Sequence, residues 1–187
     1  MAVPAQEAKP FGMTMGASKH EVIKALKGAK VDDLNEFAFG SKVAIEMSPY
    51  FDRYMYTVTP ETGLCAVTGF SKGFTDIYPL MAHYRSIKEA LSSKYGKTSM
   101  SSEMGVKTIL PIASAVRRGV IEVKDFWGLA VDSDANMVFN LESDTVLYIQ
   151  LDLMPIGKDA VAVTLQYPFK NYIQCRESIL KNQAKSL

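Results

Sequence analysis

Histidine and cysteine, on which most nucleophilic, acid–base and transition-metal sites depend, are scarce in this chain: His20, His83, Cys65 and Cys175 are all that its 187 residues contain. They form no CxxC pair and no Cys/His grouping at ligand spacing, which excludes an ordinary zinc site. Long apolar runs are also lacking. Stretches such as Phe126-Trp127-Gly128-Leu129-Ala130-Val131 fall far short of the ~20 residues a membrane-spanning helix needs. Charge of one sign is absent too: 21 Lys and Arg stand against 20 Asp and Glu, scattered along the chain, so nothing resembles the basic footprint that holds a nucleic-acid backbone. No P-loop, no G-x-G-x-x-G after a strand and no G-x-S-x-G elbow occurs, and no cofactor is expected.

What is present suffices for a folded core, since 48% of the residues are hydrophobic. Ala2-Val-Pro-Ala-Gln-Glu-Ala-Lys-Pro-Phe-Gly has the polar, Pro- and Ala-containing character of an exported protein's mature lead, and Met1 before it reads as a start added after signal removal. A periplasmic or secreted location is therefore expected; the alternative is a cytoplasmic protein with a frayed start. Cys65 and Cys175 fit either location. Paired, they close a loop of about 110 residues and stabilise the fold by about 4 to 5 kcal/mol on the chain-entropy model; unpaired, they are two buried thiols packing as small hydrophobes.

Ser18-Lys19-His20-Glu21 is a capping box that starts a short helix, with Val22, Ile23 and Leu26 on its apolar face and Gly28 as its stop. Residues 53–70 spell a hairpin turning at Pro60-Glu61-Thr62-Gly63. Leu80, Tyr84, Ile87, Leu91 and Tyr95 recur at helical steps up to Gly96. The Ser-rich 97–105 reads as a loop between halves. Val120, Val123, Trp127 and Ala130 share a helical face, so 112–131 reads as mostly helix, with a strand as the alternative given its β-branched residues. The runs 137–141, 145–153 and 160–167 read as a meander, and 172–185 as a surface helix. The expectation is an α+β fold: helices packed on one face of an antiparallel sheet, with 1–10 a flexible lead and 11–97 and 106–187 two similar helix-plus-meander halves of one compact domain.

Few residues invite chemistry. Asp132, Asp134 and Asn136 open like a calcium loop, but Met137 stands where Gly is needed and Ser143 where a bidentate Glu is needed, so a polar turn explains them better. His83 is the one candidate general base, in a triad with Cys65 and an acid that no local motif supports; a structural helical histidine is the simpler reading. Tyr50-Phe51-Asp52-Arg53-Tyr54-Met55-Tyr56 gathers residues favoured at binding hot spots, which makes Tyr50, Phe51, Arg53, Tyr54 and Tyr56 the candidate binding residues. Against this, alternation in a strand turns Tyr54 and Tyr56 toward one buried face.

Phe11-Gly12-x-x-x-Gly16-x-Ser18-x-x-Glu21-Val22, 56–64 (YTVTPETGL) and 165–171 (LQYPFKN) together resemble blocks of small bacterial envelope proteins of uncharacterised function. The glycine before a capped short helix is also similar to the start of the domains typified by the outer-membrane assembly lipoprotein BamE and the β-lactamase inhibitor protein, although no lipid-attachment cysteine lies near the start here. The resemblance implies an exported, non-enzymatic protein-binding module of inhibitor or immunity type, with another protein as partner. The alternatives are a small envelope hydrolase using His83 and carboxylates not yet located, and a cytosolic regulator.

Overall fold

A computed structural model describes residues 9–105 and 110–185; the expected lead over 1–10 lies, up to residue 8, outside the described residues. In chain order the first elements are a 3-10 turn at Pro10–Gly12, α1 (Lys19–Ala25), β1 (Val31–Asn35), β2 (Ala38–Ser41), β3 (Arg53–Thr59) and β4 (Gly63–Phe70). There follow α2 (Ile77–Tyr95), β5 (Met100–Met104), α3 (Ile112–Arg117), β6 (Glu122–Trp127), β7 (Leu129–Val131), β8 (Met137–Phe139), β9 (Ile149–Ile156), β10 (Ala160–Pro168) and α4 (Tyr172–Lys185). The fold is α+β, with an eight-stranded antiparallel sheet ordered β1-β2-β3-β4-β10-β9-β6-β5 and a separate two-stranded ribbon of β7 and β8.

The chain divides into two units, each drawn from separated segments. Unit 1 runs up to Gly69 and adds Leu141–Leu147 and the chain from Gln166 onward; unit 2 takes Phe70–Asn140 and Tyr148–Leu165. Each unit is a helix followed by a four-stranded meander: α1 with β1-β2-β3-β4, and α2 with β5-β6-β9-β10, most of β10 belonging to unit 2. Unit 2 carries two insertions that unit 1 lacks, α3 between β5 and β6 and the β7–β8 ribbon between β6 and β9.

In unit 1 the capping box forms as the residue types require: the Ser18 amide donates to Glu21 Oε2 at 2.8 Å and the Glu21 amide to Ser18 Oγ at 3.3 Å. The Ser18 amide, and next the Ser18 hydroxyl, which also donates to Oε2 at 2.8 Å, hold the Glu21 carboxyl below its ordinary pKa. Val22 and Leu26 are buried, and the helix unwinds through positive φ at Lys27 and Gly28. The β3–β4 hairpin turns where Pro60 to Gly63 placed it. Gly63 sits at φ 68°, and a Cβ there would lie 2.0 Å from the Gly16 carbonyl oxygen, so only glycine lets the N-terminal segment cross the hairpin this closely. That crossing is hydrogen-bonded from Gly16 N to Leu64 O at 2.8 Å and from Leu64 N to Ala17 O at 2.7 Å. Cys65 and Cys175 form a disulfide that fixes α4 to β4.

In unit 2 the α2 stripe is buried at Leu80, Met81, Tyr84, Ile87 and Leu91, with Asp76 as N-cap and Gly96 as C-cap. Two expectations are corrected here. The stretch 112–131 is helical only over Ile112–Arg117; Glu122–Trp127 is a strand because Val123, Asp125 and Trp127 bury alternate positions of an extended chain. The Ser-rich 97–105 is not simply a loop: Met100–Met104 pairs in unbroken register with β6, from Met100 opposite Phe126 to Met104 opposite Glu122. The expected meander also differs in detail, since 137–139 pairs with β7 and not with the strands that follow.

Candidate functional site

The aromatic run proposed as a binding surface lies largely inside unit 1. Of the five candidate binding residues, Phe51, Tyr54 and Tyr56 are buried, Tyr50 is half-buried and Arg53 is exposed. Alternation along β3 turns Tyr54 and Tyr56 to one face, and the segment around Phe11 covers them: the Phe11 ring meets Tyr54 at 4.9 Å, Tyr167 at 5.6 Å and Phe51 at 5.8 Å, each edge-on. The hydroxyls are used internally, Tyr56 donating to the Val43 carbonyl at 3.1 Å and Tyr54 accepting the Ser48 amide at 3.1 Å. Burial raises the pKa of both phenols, with the other ring's charge a smaller cause at Tyr56 and Asp52 a smaller cause at Tyr54.

The three blocks behind the family resemblance converge here. Phe11 touches Tyr167, Gly16 and Ala17 bond across Leu64, and Asn171 Nδ2 donates to the carbonyls of Thr62 at 2.9 Å and Leu64 at 3.1 Å. Those residues therefore have an architectural use: they tie the start and the end of the chain to one hairpin.

His83 is half-buried on α2 with its ring 5.3 Å from that of Phe74. Cys65 cannot serve as its nucleophile, because its sulfur is in the disulfide. The triad is withdrawn on that ground.

Asp132, Asp134 and Asn136 form the tip of the β7–β8 ribbon. Asp132 Oδ1 accepts the amides of Asn136 at 2.8 Å and Asp134 at 2.9 Å, while Oδ2 accepts the Asn136 side-chain amide at 3.3 Å. The Asn136 amide is the main reason the Asp132 carboxyl is held below its ordinary pKa. A carboxylate so occupied by its own turn closes a hairpin, and the calcium reading gives way to the Asx-turn reading, though between two strands and not between helix and strand. Among the described residues no three His, Cys, Asp or Glu side chains gather as a metal cluster.

Two features escaped sequence reasoning. One is a buried cluster in unit 2: Asp125 receives Lys88 Nζ at 2.8 Å on Oδ1 and the Tyr84 hydroxyl at 2.9 Å on Oδ2. It lies beneath a groove of about 330 Å³ lined by Tyr84, Arg85, Lys88, Glu89 and Glu103. Burial, and next the charge of Asp125, drive the Tyr84 pKa upward, so Tyr84 keeps its proton as a donor. With Oδ2 accepting a hydrogen bond from Tyr84 and Oδ1 ion-paired to Lys88 but not hydrogen-bonded, the cluster ties α2 to β6. Tyr84 and Lys88 stand one helical turn apart, and Asp125 lies between Val123 and Trp127 on a buried strand face, a pattern present in the sequence.

The other feature is the ribbon itself. Its base is fixed: Ser99 Oγ donates to the Leu129 carbonyl at 2.6 Å, Asn140 N donates to Gly128 O at 2.9 Å, and Phe139 stacks on Tyr148 at 5.8 Å. Beyond the base, Val131 is 53%, Met137 65% and Val138 39% exposed, with Val131 directly opposite Met137. The turn between the two strands bears two carboxylates, Asp132 and Asp134, and no cation. Comparison with protein-family models, curated proteins and solved structures finds no match.

Proposed function

We propose that this chain is an exported, non-enzymatic protein-binding module of inhibitor or immunity type, which engages another protein through the β7–β8 ribbon. The observation that carries the reading is the exposed Val131, Met137 and Val138 on a hairpin whose base and turn are both hydrogen-bonded into place. An ordered hairpin loses little conformational entropy on docking, and Val131 with Met137 on one face and Val138 on the other supply the contact area. The Cys65–Cys175 disulfide supports the export part of the reading, because such bonds persist in the periplasm and outside the cell and are reduced in most cytosols. The clustering of acid at the tip favours a partner surface with cations around an apolar depression.

The experiment is affinity capture from the envelope fraction of the source cells, with the wild-type chain and the Val131→Asp/Met137→Asp variant as parallel baits. The reading expects one stoichiometric protein on the wild type and its loss from the variant at unchanged melting temperature. Capture of the same protein in equal amount by both baits, or none by the wild type, overturns it.

A further inference from the structure

The two end strands of the large sheet are built differently. β1 carries Asp32 and Asp33, and its register with β2 breaks between Asp33 and Asn35. Charges and irregular pairing are the usual means by which an edge is kept from accepting another strand. β5 has neither a register break nor a run of charge. Its pairing to β6 is regular over all five residues, its one charged residue is Glu103, and Met100 and Met104 are 37% and 53% exposed. Alternate backbone amides and carbonyls of such a strand face away from the sheet, a template for strand addition.

Met100-Ser101-Ser102-Glu103-Met104 is close to its own reverse. We propose that β5 is the interface of a two-fold dimer, in which a second copy of this chain adds its own β5 antiparallel in a register centred on Ser102. Such a contact is isologous, so every pair occurs twice. Met100 falls opposite Met104 and Ser101 opposite Glu103, with no like charges facing each other. Charge complementarity argues for this register. Lys88 Nζ lies 3.4 Å from Ser101 Oγ, and Arg85 lies 3.7 Å from Glu103, on the face of β5 that α2 covers. Each Glu103 therefore enters the field of the second copy's Lys88 in addition to that of its own Arg85. Lys88 already binds Asp125 at 2.8 Å, and its ammonium has donors to spare. On the opposite face each Met100 meets the second copy's Met104 on either side of the central Ser102 pair, with Phe126 and Glu122 of β6 beside them.

This inference does not depend on the protein-binding reading, because the ribbon takes no part in the contact. Sedimentation of the purified full chain over a range of concentrations tests it. The expected result is a concentration-dependent species of about twice the 20.6 kDa chain mass. Glu103→Lys should raise the dissociation constant at least about tenfold, since the two-fold repeats each like-charge contact, while Leu34→Lys on β1 and Met137→Asp on the ribbon leave it unchanged. Melting curves of each variant separate lost pairing from lost folding, and Met104→Lys provides a second disruption at the same edge. A wild-type monomer at every concentration overturns the proposal, as does a dimer that survives both β5 substitutions with their folds intact.

Discussion

Tyr54 and Phe51 act as core residues, so their truncation belongs to stability and not to binding. Tyr54→Ala or Phe51→Ala should lower the unfolding free energy by about 3 to 5 kcal/mol, the usual cost of emptying a buried aromatic site, and urea titration measures it. Tyr84→Phe should cost about 1.5 to 3 kcal/mol, because it removes a hydrogen bond to a charged, buried partner. Asp152 offers a pH test. Burial raises its pKa above 3.8, outweighing Lys124 and the Leu153 amide, which lower it. A carboxyl with a raised folded-state pKa contributes stability that is fully present below 3.8 and is lost as pH rises through the folded value. Thermal melts at stepped pH should therefore show Asp152→Asn gaining on the wild type as pH climbs through that window; a constant difference would contradict it. At this scale the sequence was legible where local chemistry decides, as in the Ser18–Glu21 box. It was not legible for Asp125, because the Lys88 and Tyr84 that partner it lie 37 and 41 residues earlier in the chain.

At the element scale, the Cys65–Cys175 disulfide ties α4 to β4. The Cys65–Cys175 bridge closes a separation of 110 residues, and its removal by Cys65→Ala/Cys175→Ala should cost about 4 to 5 kcal/mol on the chain-entropy model, read from the shift in the unfolding midpoint. Gly63→Ala should cost more than the roughly 1 to 2 kcal/mol of a left-handed L-residue, since its Cβ would also meet the Gly16 carbonyl. The hairpin, α2 and α4 were visible in the sequence because their periodicity is strong and their caps are local. β6 was not, for a physical reason. Val123 and Trp127 satisfy both a helical and an extended spacing, and the residue that separates the two readings, Asp125, is a carboxylate that looks solvent-facing until Lys88 and Tyr84 are found beside it. β5 was hidden for a similar reason, since a strand with a single neighbour keeps a polar, loop-like sequence.

For the molecule as a whole, the antiparallel α+β class and a helix-plus-meander order follow from the alternation of patterns along the chain. The division into units does not, because the chain from Gln166 onward returns to the unit in which it began, and that return is set by Phe11–Tyr167, Asn171 and the disulfide. The same long-range packing consumed the aromatic run that composition alone had marked for binding. It left the ribbon among the exposed apolar stretches of the described residues. Its signal in the sequence was faint: Val131, Met137 and Val138 flanking a turn that draws attention to its aspartates. The central claim is that this ribbon is where a partner docks, and site-specific photocrosslinking in the source cells tests it most directly. A photoreactive side chain at Val138, with exposed Tyr78 on α2 as the control position, should give one discrete protein adduct from the ribbon and none from the helix; no adduct at Val138, or the same adducts from both positions, would contradict the account.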